Sequence, residues 1–489
     1  MADLGFWTLA QKDPSYLALV DPDGREIASG ELLAAANQLV HGLRELGLQE
    51  GDSFATVLPN GAPMIELYLA ALQAGWYLVP INHHLVGPEI GYVVDDCGAK
   101  TLIVDERFAE ECTAAVEELD FPKEARFAVG DVAGFRSYDE LKAGRPTSLP
   151  DNRTSGAVMN YTSGTTGQPK GIRRKLPGVS PEDGSVGFGG ILFLFGIQPA
   201  DGNVHIVGSP LYHTAVLVFG GASMYLGHTV VLMDKWTPEG MLQLIERHRV
   251  TTSHMVHAAA PCPVDVKRRM IEWWGPVIDE YYAASEGGGT LVTPEEWMKK
   301  PGTVGKPWPI SEVVVLDDDG NPVGVSDIGT VYMAMQGVEF EYYKDEEKTQ
   351  KNRAGKYFTV GDIGYLDDDG YLFLCDRKAD MIISGGANIY PAEIESVLLT
   401  NPKVGDAAVF GIPHDDWGEE VKAVIEPAAG VEPSPALADE ILGWCAGRLA
   451  KFKTPKSIDF TAEMPRDPNG KLYKRKLRDP YWEGRERAI

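Results

Sequence analysis

A chain of 489 residues is too long for a single compact core, so two or more domains are expected. Its formal net charge of −26 disfavours a polyanion such as nucleic acid as the main partner, and any anionic ligand must rest on local basic clusters. Cys97, Cys112, Cys262, Cys375 and Cys445 are scattered with no C-x-x-C pair, which indicates neither a metal cage nor a disulfide framework and suits the reducing cytoplasm. The first residues lack the basic-then-apolar pattern of a signal peptide.

Residues 31–105 alternate helix and strand. Leu32, Ala36, Leu39, Val40 and Leu43 share one helical face, and Gly47 stands where a C-cap glycine belongs. Strands are expected over 54–58, 76–81 and 101–104, with a helix over 64–74 between the first two. This alternation with short loops predicts a mostly parallel sheet covered on both faces. The pair His83-His84 tempts a metal reading. Adjacent histidines on a strand point to opposite faces, so both are read as structural.

Residues 161–171 read Tyr-Thr-Ser-Gly-Thr-Thr-Gly-Gln-Pro-Lys-Gly. The hydroxyls of Ser163, Thr165 and Thr166 alternate with Gly164 and Gly167, and Lys170 follows. Glycines let backbone N–H groups approach an anion, hydroxyls add donors, and the lysine adds a point charge. A P-loop is excluded, because that motif needs Lys followed directly by Ser or Thr and a helix. The apolar run 186–197 is well short of the ~18 residues of a membrane span. It reads as a buried helix or strand, or as a pocket wall. An apolar strand over 204–207 leads into Ser209-Pro-Leu-Tyr-His213.

The loop at 161–171 resembles, nearly letter for letter, the phosphate loop of the adenylate-forming enzymes: acyl- and aryl-CoA ligases, beetle luciferase and peptide-synthetase adenylation domains. Further segments follow in the family's order. Tyr281-Tyr-Ala-Ala-Ser-Glu286 is similar to its Y-G-x-T-E motif, with Ala283 for Gly and Ser285 for Thr. Gly302-Thr-Val-Gly-Lys-Pro307 is similar to its G-x-x-G-x-P turn. Asp362 closes Tyr357-Phe-Thr-Val-Gly-Asp362, where an aspartate at the end of an apolar strand can accept two hydrogen bonds from a ribose diol. Cys375-Asp-Arg377-Lys-Ala-Asp380 matches the hinge, with Ala379 where most members carry Asp or Lys. Gly386-Ala387-Asn388 stands for the familiar G-E-N, and Met464-Pro-Arg-Asp-Pro-Asn-Gly-Lys471 resembles the C-terminal lysine turn.

The resemblance implies an α/β fold: a large N-terminal domain of mixed, mostly parallel sheets flanked by helices over 1–376, and a small mobile α/β domain over 377–489. It implies ATP, Mg²⁺ and coenzyme A as cofactors. Ser163, Gly164, Thr165, Thr166, Gly167 and Lys170 would hold phosphates, and Ala259 and Ala260 would belong to the adenine loop. Tyr282 would stack on adenine, Ser285 would offer a hydroxyl to the α-phosphate, and Glu286 would hold Mg²⁺. Asp362 and Arg377 would bind ribose or phosphate, and Gly385 and Gly386 would line a pantetheine tunnel. Thr162, His213, Glu286 and Lys471 are the implied catalytic residues. His213 gates the acyl pocket, whose wall the run 186–197 could form, and Lys471 reaches the substrate carboxylate and α-phosphate.

The implied activity is an acid–CoA ligase for a fatty, aryl or polycyclic acid. Tyr212-His213 offers no carboxylate for a substrate ammonium, so an amino acid is not expected. A carrier-protein loader and a non-catalytic AMP- or acyl-CoA-binding relative are the alternatives. The reading places the protein in the cytoplasm and leaves room for a homodimer and for peripheral membrane contact.

The C-terminal domain reads as a helix over 391–399, strands over 407–410 and 421–425, and a helix capped by Ser434 with Pro435 at its first position. Lys451, Lys453, Lys456, Arg466, Lys471, Lys474, Arg475, Lys476 and Arg478 make its end basic, a natural place for nucleotide phosphates or a solvated face. One family feature is missing. The strand read over 251–256 runs at once into His257-Ala-Ala-Ala-Pro261, without the helical segment of several turns that relatives carry between them.

Overall fold

The computed structural model describes residues 4–162, 169–184, 186–254, 262, 264–378, 380–385, 387–446, 448–466 and 472–483. The chain forms two compact units, residues 1–256 with 338–350, and residues 257–337 with 351–489.

The first unit is built as the alternation predicts. The helix Ser29–Glu45 buries Leu32, Ala36, Leu39, Val40 and Leu43, and Gly47 follows its end with φ 93°. Its neighbour Ala62–Ala74 is buried on nearly every side. Gly75 ends that helix at φ 72°, and a Cβ there would stand 2.5 Å from the Thr154 side chain, so only glycine fits. The strands Ser53–Val57, Tyr77–Pro80 and Leu102–Asp105 pair in parallel with Arg126–Val129, Arg136–Ser137 and Ala157–Val158.

A second sheet runs Thr252–His254, Val204–Val207, Thr229–Leu232, Leu17–Val20 and Glu26–Ala28, with only the last strand antiparallel. A small antiparallel sheet of Asn160–Thr162, Lys170–Arg174 and Phe340–Tyr342 draws the distant 338–350 segment into this unit.

His83 and His84 correct the sequence argument. They occupy a turn rather than a strand, and their rings lie 4.4 Å apart instead of on opposite faces. The alternation rule needs a regular strand, and the strand ends at Pro80. The His83 ring stacks on Phe108 at 4.6 Å, and burial, with His84 adding to it, lowers its pKa to about 4.

The second sheet buries a polar cluster at the start of its strands. Asn203 Nδ2 donates to Thr252 Oγ1 at 3.0 Å, and His205 Nδ1 lies 3.1 Å from the same oxygen. Burial and the neighbouring His228 lower the His205 pKa to about 4. Between its ordinary value of 6.5 and about 4, the unfolded chain therefore binds a proton that the folded chain does not. Stability should rise with pH across that window and fall by about 2 kcal/mol on going from pH 7 to 5 on this account. Guanidinium midpoints at the two pH values should differ less in His205→Gln than in the parent; an equal difference would assign the acid sensitivity elsewhere.

The second unit holds the hairpin Glu280–Ala283 and Gly289–Val292, extended by Lys306–Pro307. Its larger sheet is built on Ser311–Leu316, Gly329–Met335, Asp362–Leu366 and Leu372–Arg377. A further sheet pairs the long strands Val404–His414 and Gly418–Pro427, with Ser457–Phe460 parallel to the latter. The helices Pro391–Leu398 and Pro435–Cys445 pack their apolar faces on it. Ser434 caps the second one, its hydroxyl accepting from the Leu437 N–H at 3.2 Å. No described helix is long and apolar enough to cross a membrane.

Candidate active site

In the second unit, residues that the sequence reading assigned separately meet. Tyr282 lies on the strand Glu280–Ala283, and Asp362 and Arg377 are cross-strand partners on Asp362–Leu366 and Leu372–Arg377. The Tyr282 hydroxyl donates to Asp362 Oδ2 at 2.5 Å across 80 residues of sequence. Arg377 Nε stands 3.5 Å from Asp362 Oδ1. Burial, then the Asp362 charge, pushes the Tyr282 phenol well above its ordinary value, so it remains a donor. Asp362 opens its strand rather than ending the preceding one as expected, because the strand Tyr357–Phe358 stops short of it. It is 9% exposed. A carboxylate offers about four lone-pair sites, so the two protein contacts leave acceptor capacity for a diol.

Ser285 and Glu286 lie in the connection of the hairpin that carries Tyr282. Glu286 is 6% exposed and close enough for its charge to contribute to the Tyr282 shift. A buried carboxylate is a hard oxygen donor of the kind Mg²⁺ takes singly, together with phosphate oxygens. Among the described residues no group of three or more His, Cys, Asp or Glu could form an all-protein metal cage. The residues present therefore fit Mg²⁺ held partly by a nucleotide. Gly289 sets the local packing, since a Cβ there would stand 2.6 Å from the Tyr282 carbonyl and 2.7 Å from the Trp308 ring.

The hairpin is anchored by a pair that sequence reasoning missed. Lys267, fully buried on the helix Val264–Trp274, bonds Glu280, two residues before Tyr282, and lies 4.8 Å from the Trp297 ring centroid. Burial lowers the lysine pKa while Glu280 resists. Lys267→Met should destabilise the protein by about 3 kcal/mol, because it leaves a carboxylate partly buried without its cation. Thermal unfolding checks this, and Glu280→Leu in the same chain should restore most of the loss.

In the first unit, Thr162 and Lys170 are directly paired across the strands that flank the phosphate loop. Ser163, Gly164, Thr165, Thr166 and Gly167 lie outside the described residues, as does the Thr162 side chain. The loop's exit is fixed by the Tyr92 hydroxyl, which donates to the Pro169 carbonyl at 3.1 Å. Lys170 Nζ is 3.9 Å from Asp345 Oδ2, a loose pairing for a partly exposed side chain.

His213 sits at the N-cap position of the helix Thr214–Tyr225. From that helix Phe219 stacks on His254 at 4.6 Å and meets Phe195 edge-on at 5.4 Å. The run 186–197 is helical over Val186–Phe193, so its continuation delivers Phe195 to an aromatic wall. Phe219 and His254 carried no motif signal; only tertiary packing brings them together.

Gly385, with φ 58°, lies in the turn between Ile382–Ser384 and Ala387–Ile389, and a Cβ on it would stand 2.4 Å from the Trp417 ring. Gly386, Ala259, Ala260, Ala379, Lys471 and the junction of Val256 and His257 lie outside the described residues. The basic C-terminal stretch is not simply an open cationic face. Lys453 pairs with Glu393, Arg466 with Asp406, Lys474 with Glu395 and Arg478 with Asp380. Composition counts charges and does not show their partners.

The sequence matches the family described as AMP-binding enzyme over residues 6–259 and 253–343, and the AMP-binding enzyme C-terminal domain over 393–471. The two pieces of the first match meet where the sequence reading finds a family segment missing. A long-chain-fatty-acid–CoA ligase of Mycobacterium tuberculosis is 30% identical over an alignment of 518 positions, covering 98% of this chain and 99% of the relative. A feruloyl-CoA synthase of Amycolatopsis sp. is 31% identical, covering 97% and 98%. The o-succinylbenzoate CoA synthetase of Bacillus subtilis, solved with its acyl-adenylate intermediate, superposes with a TM-score of 0.83 at 27% identity, covering 97% and 98%. Solved with ATP and magnesium ion, it gives the same TM-score and identity, with 97% and 99% covered.

Proposed function

The chain belongs to the AMP-binding enzyme family, and from that membership we propose how it works. It is an ATP-dependent acid–CoA ligase. A carboxylate oxygen attacks the α-phosphorus of ATP, forming acyl-AMP as pyrophosphate leaves. The CoA thiol then attacks the acyl carbonyl, forming the thioester as AMP leaves and the thiol proton is released. The observation that carries the reading in the structure is the meeting of Tyr282, Asp362 and Arg377, with buried Glu286 close by.

The first step needs no general base, since a carboxylate is ionised near neutral pH. It needs two anions aligned and the charge on phosphate oxygens neutralised. Lys170 and the loop 163–167 are assigned to the phosphates, Asp362 and Arg377 to the ribose and its phosphate, and Ala259, Ala260 and Tyr282 to adenine. Ser285 serves the α-phosphate, and Lys471 serves the substrate carboxylate beside it. Glu286 would hold Mg²⁺, which when bound supplies charge neutralisation on phosphate oxygens. Thr162 and His213 complete the catalytic set, with His213 governing entry to the acyl site. Gly385 and Gly386 admit the thin pantetheine chain during the second step.

The functional division lies at 1–376 and 377–489, with the smaller domain pivoting near Ala379 between steps. Its own apolar core, from Ile382 to Cys445, supports this boundary. The aromatic contacts of Phe195, Phe219 and His254 support a fatty, aryl or polycyclic acid. We assign the protein to the cytoplasm, and a homodimer is compatible with the assignment. A panel of fatty and aryl acids, scored by CoA-dependent AMP formation, tests the reading. Turnover with at least one class is expected. Absence of acid-dependent AMP across the panel would leave a nucleotide binder.

A further inference from the structure

The residues on either side of 467–471 are both tied to the sheet of the C-terminal domain. Arg466 and Leu472 form an antiparallel bridge, and the Tyr473 N–H donates to the Pro465 carbonyl at 2.7 Å. The Met464 N–H donates to Glu426 Oε2 at 2.7 Å, and Arg466 pairs with Asp406. Arg466 and Leu472 are thus adjacent, beside the sheet of Val404–His414 and Gly418–Pro427.

The short helix Lys474–Arg478 follows. Lys474 Nζ stands 2.7 Å from Glu395 Oε1, with side-chain exposures of only 15% and 16%. The same Glu395 oxygen accepts from the Val409 N–H at 2.7 Å. At the helix's other end, Arg478 lies 3.8 Å from Asp380. Burial opposes the Lys474 charge, yet Glu395, Asp376 and Asp380 together raise its pKa.

Asp376 belongs to the strand Leu372–Arg377, upstream of Ala379, and its Oδ2 accepts from the Ala392 N–H at 2.9 Å. Burial raises the Asp376 pKa, and Lys474 counters it. Glu395 and Ala392 lie on the same helix, Pro391–Leu398, so that helix links Lys474, bound to Glu395, with Asp376, bound to the Ala392 N–H, from before the proposed pivot. Lys471 is three residues away, so its Cα lies within ~11 Å of the Lys474 Cα by connectivity alone.

We propose that Lys474 is a positioning residue for adenylate formation: through its ion pair with Glu395 it ties the segment that carries Lys471 to the helix Pro391–Leu398, whose Ala392 N–H holds Asp376 on the strand that enters the pivot. The inference rests on the assignment of Lys471 above. Rotation about the pivot has to part Asp376 from Ala392, so this linkage favours one arrangement of the two segments. A small displacement of a catalytic group is costly, on the order of tenfold to a hundredfold in rate.

Pyrophosphate release with acid and ATP, and thioester formation from synthetic acyl-AMP and CoA, should be measured for Lys474→Met, Lys474→Arg and Lys471→Ala. Lys474→Met is expected to lower kcat of pyrophosphate release by about tenfold or more, with KM for ATP and the thioester step little changed. Lys474→Arg should recover most of the loss, since it keeps the charge. Equal loss in both half-reactions would make Lys474 merely structural and overturn the inference. Intact release in Lys474→Met, with loss in Lys471→Ala, would overturn it while leaving the Lys471 assignment standing. Intact release in Lys471→Ala would remove that assignment and this inference with it. Should Lys474→Met fail to fold, Asp376→Asn carries the test with the same expected split.

Discussion

Lys471→Ala should lose adenylate formation by ~10³-fold, the scale of removing one preorganised charge or donor from a developing anion. Thioester formation from synthetic acyl-AMP should stay within about threefold of the parent, because that step no longer brings two anions together. The asymmetry is the informative part. Pyrophosphate release without CoA reads the first step and acyl-CoA formed from acyl-AMP reads the second. A parallel fall in both would show that Lys471 supports the C-terminal domain instead of the chemistry.

Asp362→Asn should behave differently and nearly as severely. Asp362 accepts from Tyr282 and faces Arg377, and the assignment gives it the ribose diol. Two charge-assisted hydrogen bonds of about 1.5–3 kcal/mol each predict a fall of ~10²–10⁴-fold in kcat/KM for ATP. Acyl-AMP carries the same ribose, so the thioester step should fall as well. Steady-state kinetics with ATP, and separately with acyl-AMP, check both arms. A loss confined to ATP would place Asp362 at the phosphates rather than the ribose.

These two variants probe residues whose letters were legible in the sequence, whereas their partners were not. Tyr282, Asp362 and Arg377 stand in recognisable motifs, but the hydroxyl bond between the first two spans 80 residues and has no local signature. The sequence reading gave Tyr282 a stacking role alone; the structure adds that its hydroxyl orients Asp362. Helix faces such as Leu32 to Leu43 were read correctly, because burial there follows a regular period. His83 and His84 were read by a period that did not apply, since the chain turns at that point. The pairing of Phe340–Tyr342 with Lys170–Arg174 and the buried bond of Lys267 to Glu280 are long-range choices. A strand's own pattern says which face is apolar, not which distant strand it joins. In the basic C-terminal run the cations were visible, but nothing local showed that four of them pair with carboxylates about 60 to 100 residues upstream, between Asp380 and Asp406.

The central claim is that the carboxylate itself attacks phosphorus and that the thiol later attacks carbon. Isotope transfer tests this most directly. An acid labelled with ¹⁸O in its carboxylate, turned over with ATP and CoA, should yield AMP carrying one labelled oxygen, because the bridging oxygen of acyl-AMP departs with the phosphate. Mass spectrometry of the nucleotide product reads the result. Label in AMP together with an acyl-CoA product is what the account predicts. Unlabelled AMP alongside acyl-CoA, or label appearing in inorganic phosphate with ADP as the nucleotide, would contradict it.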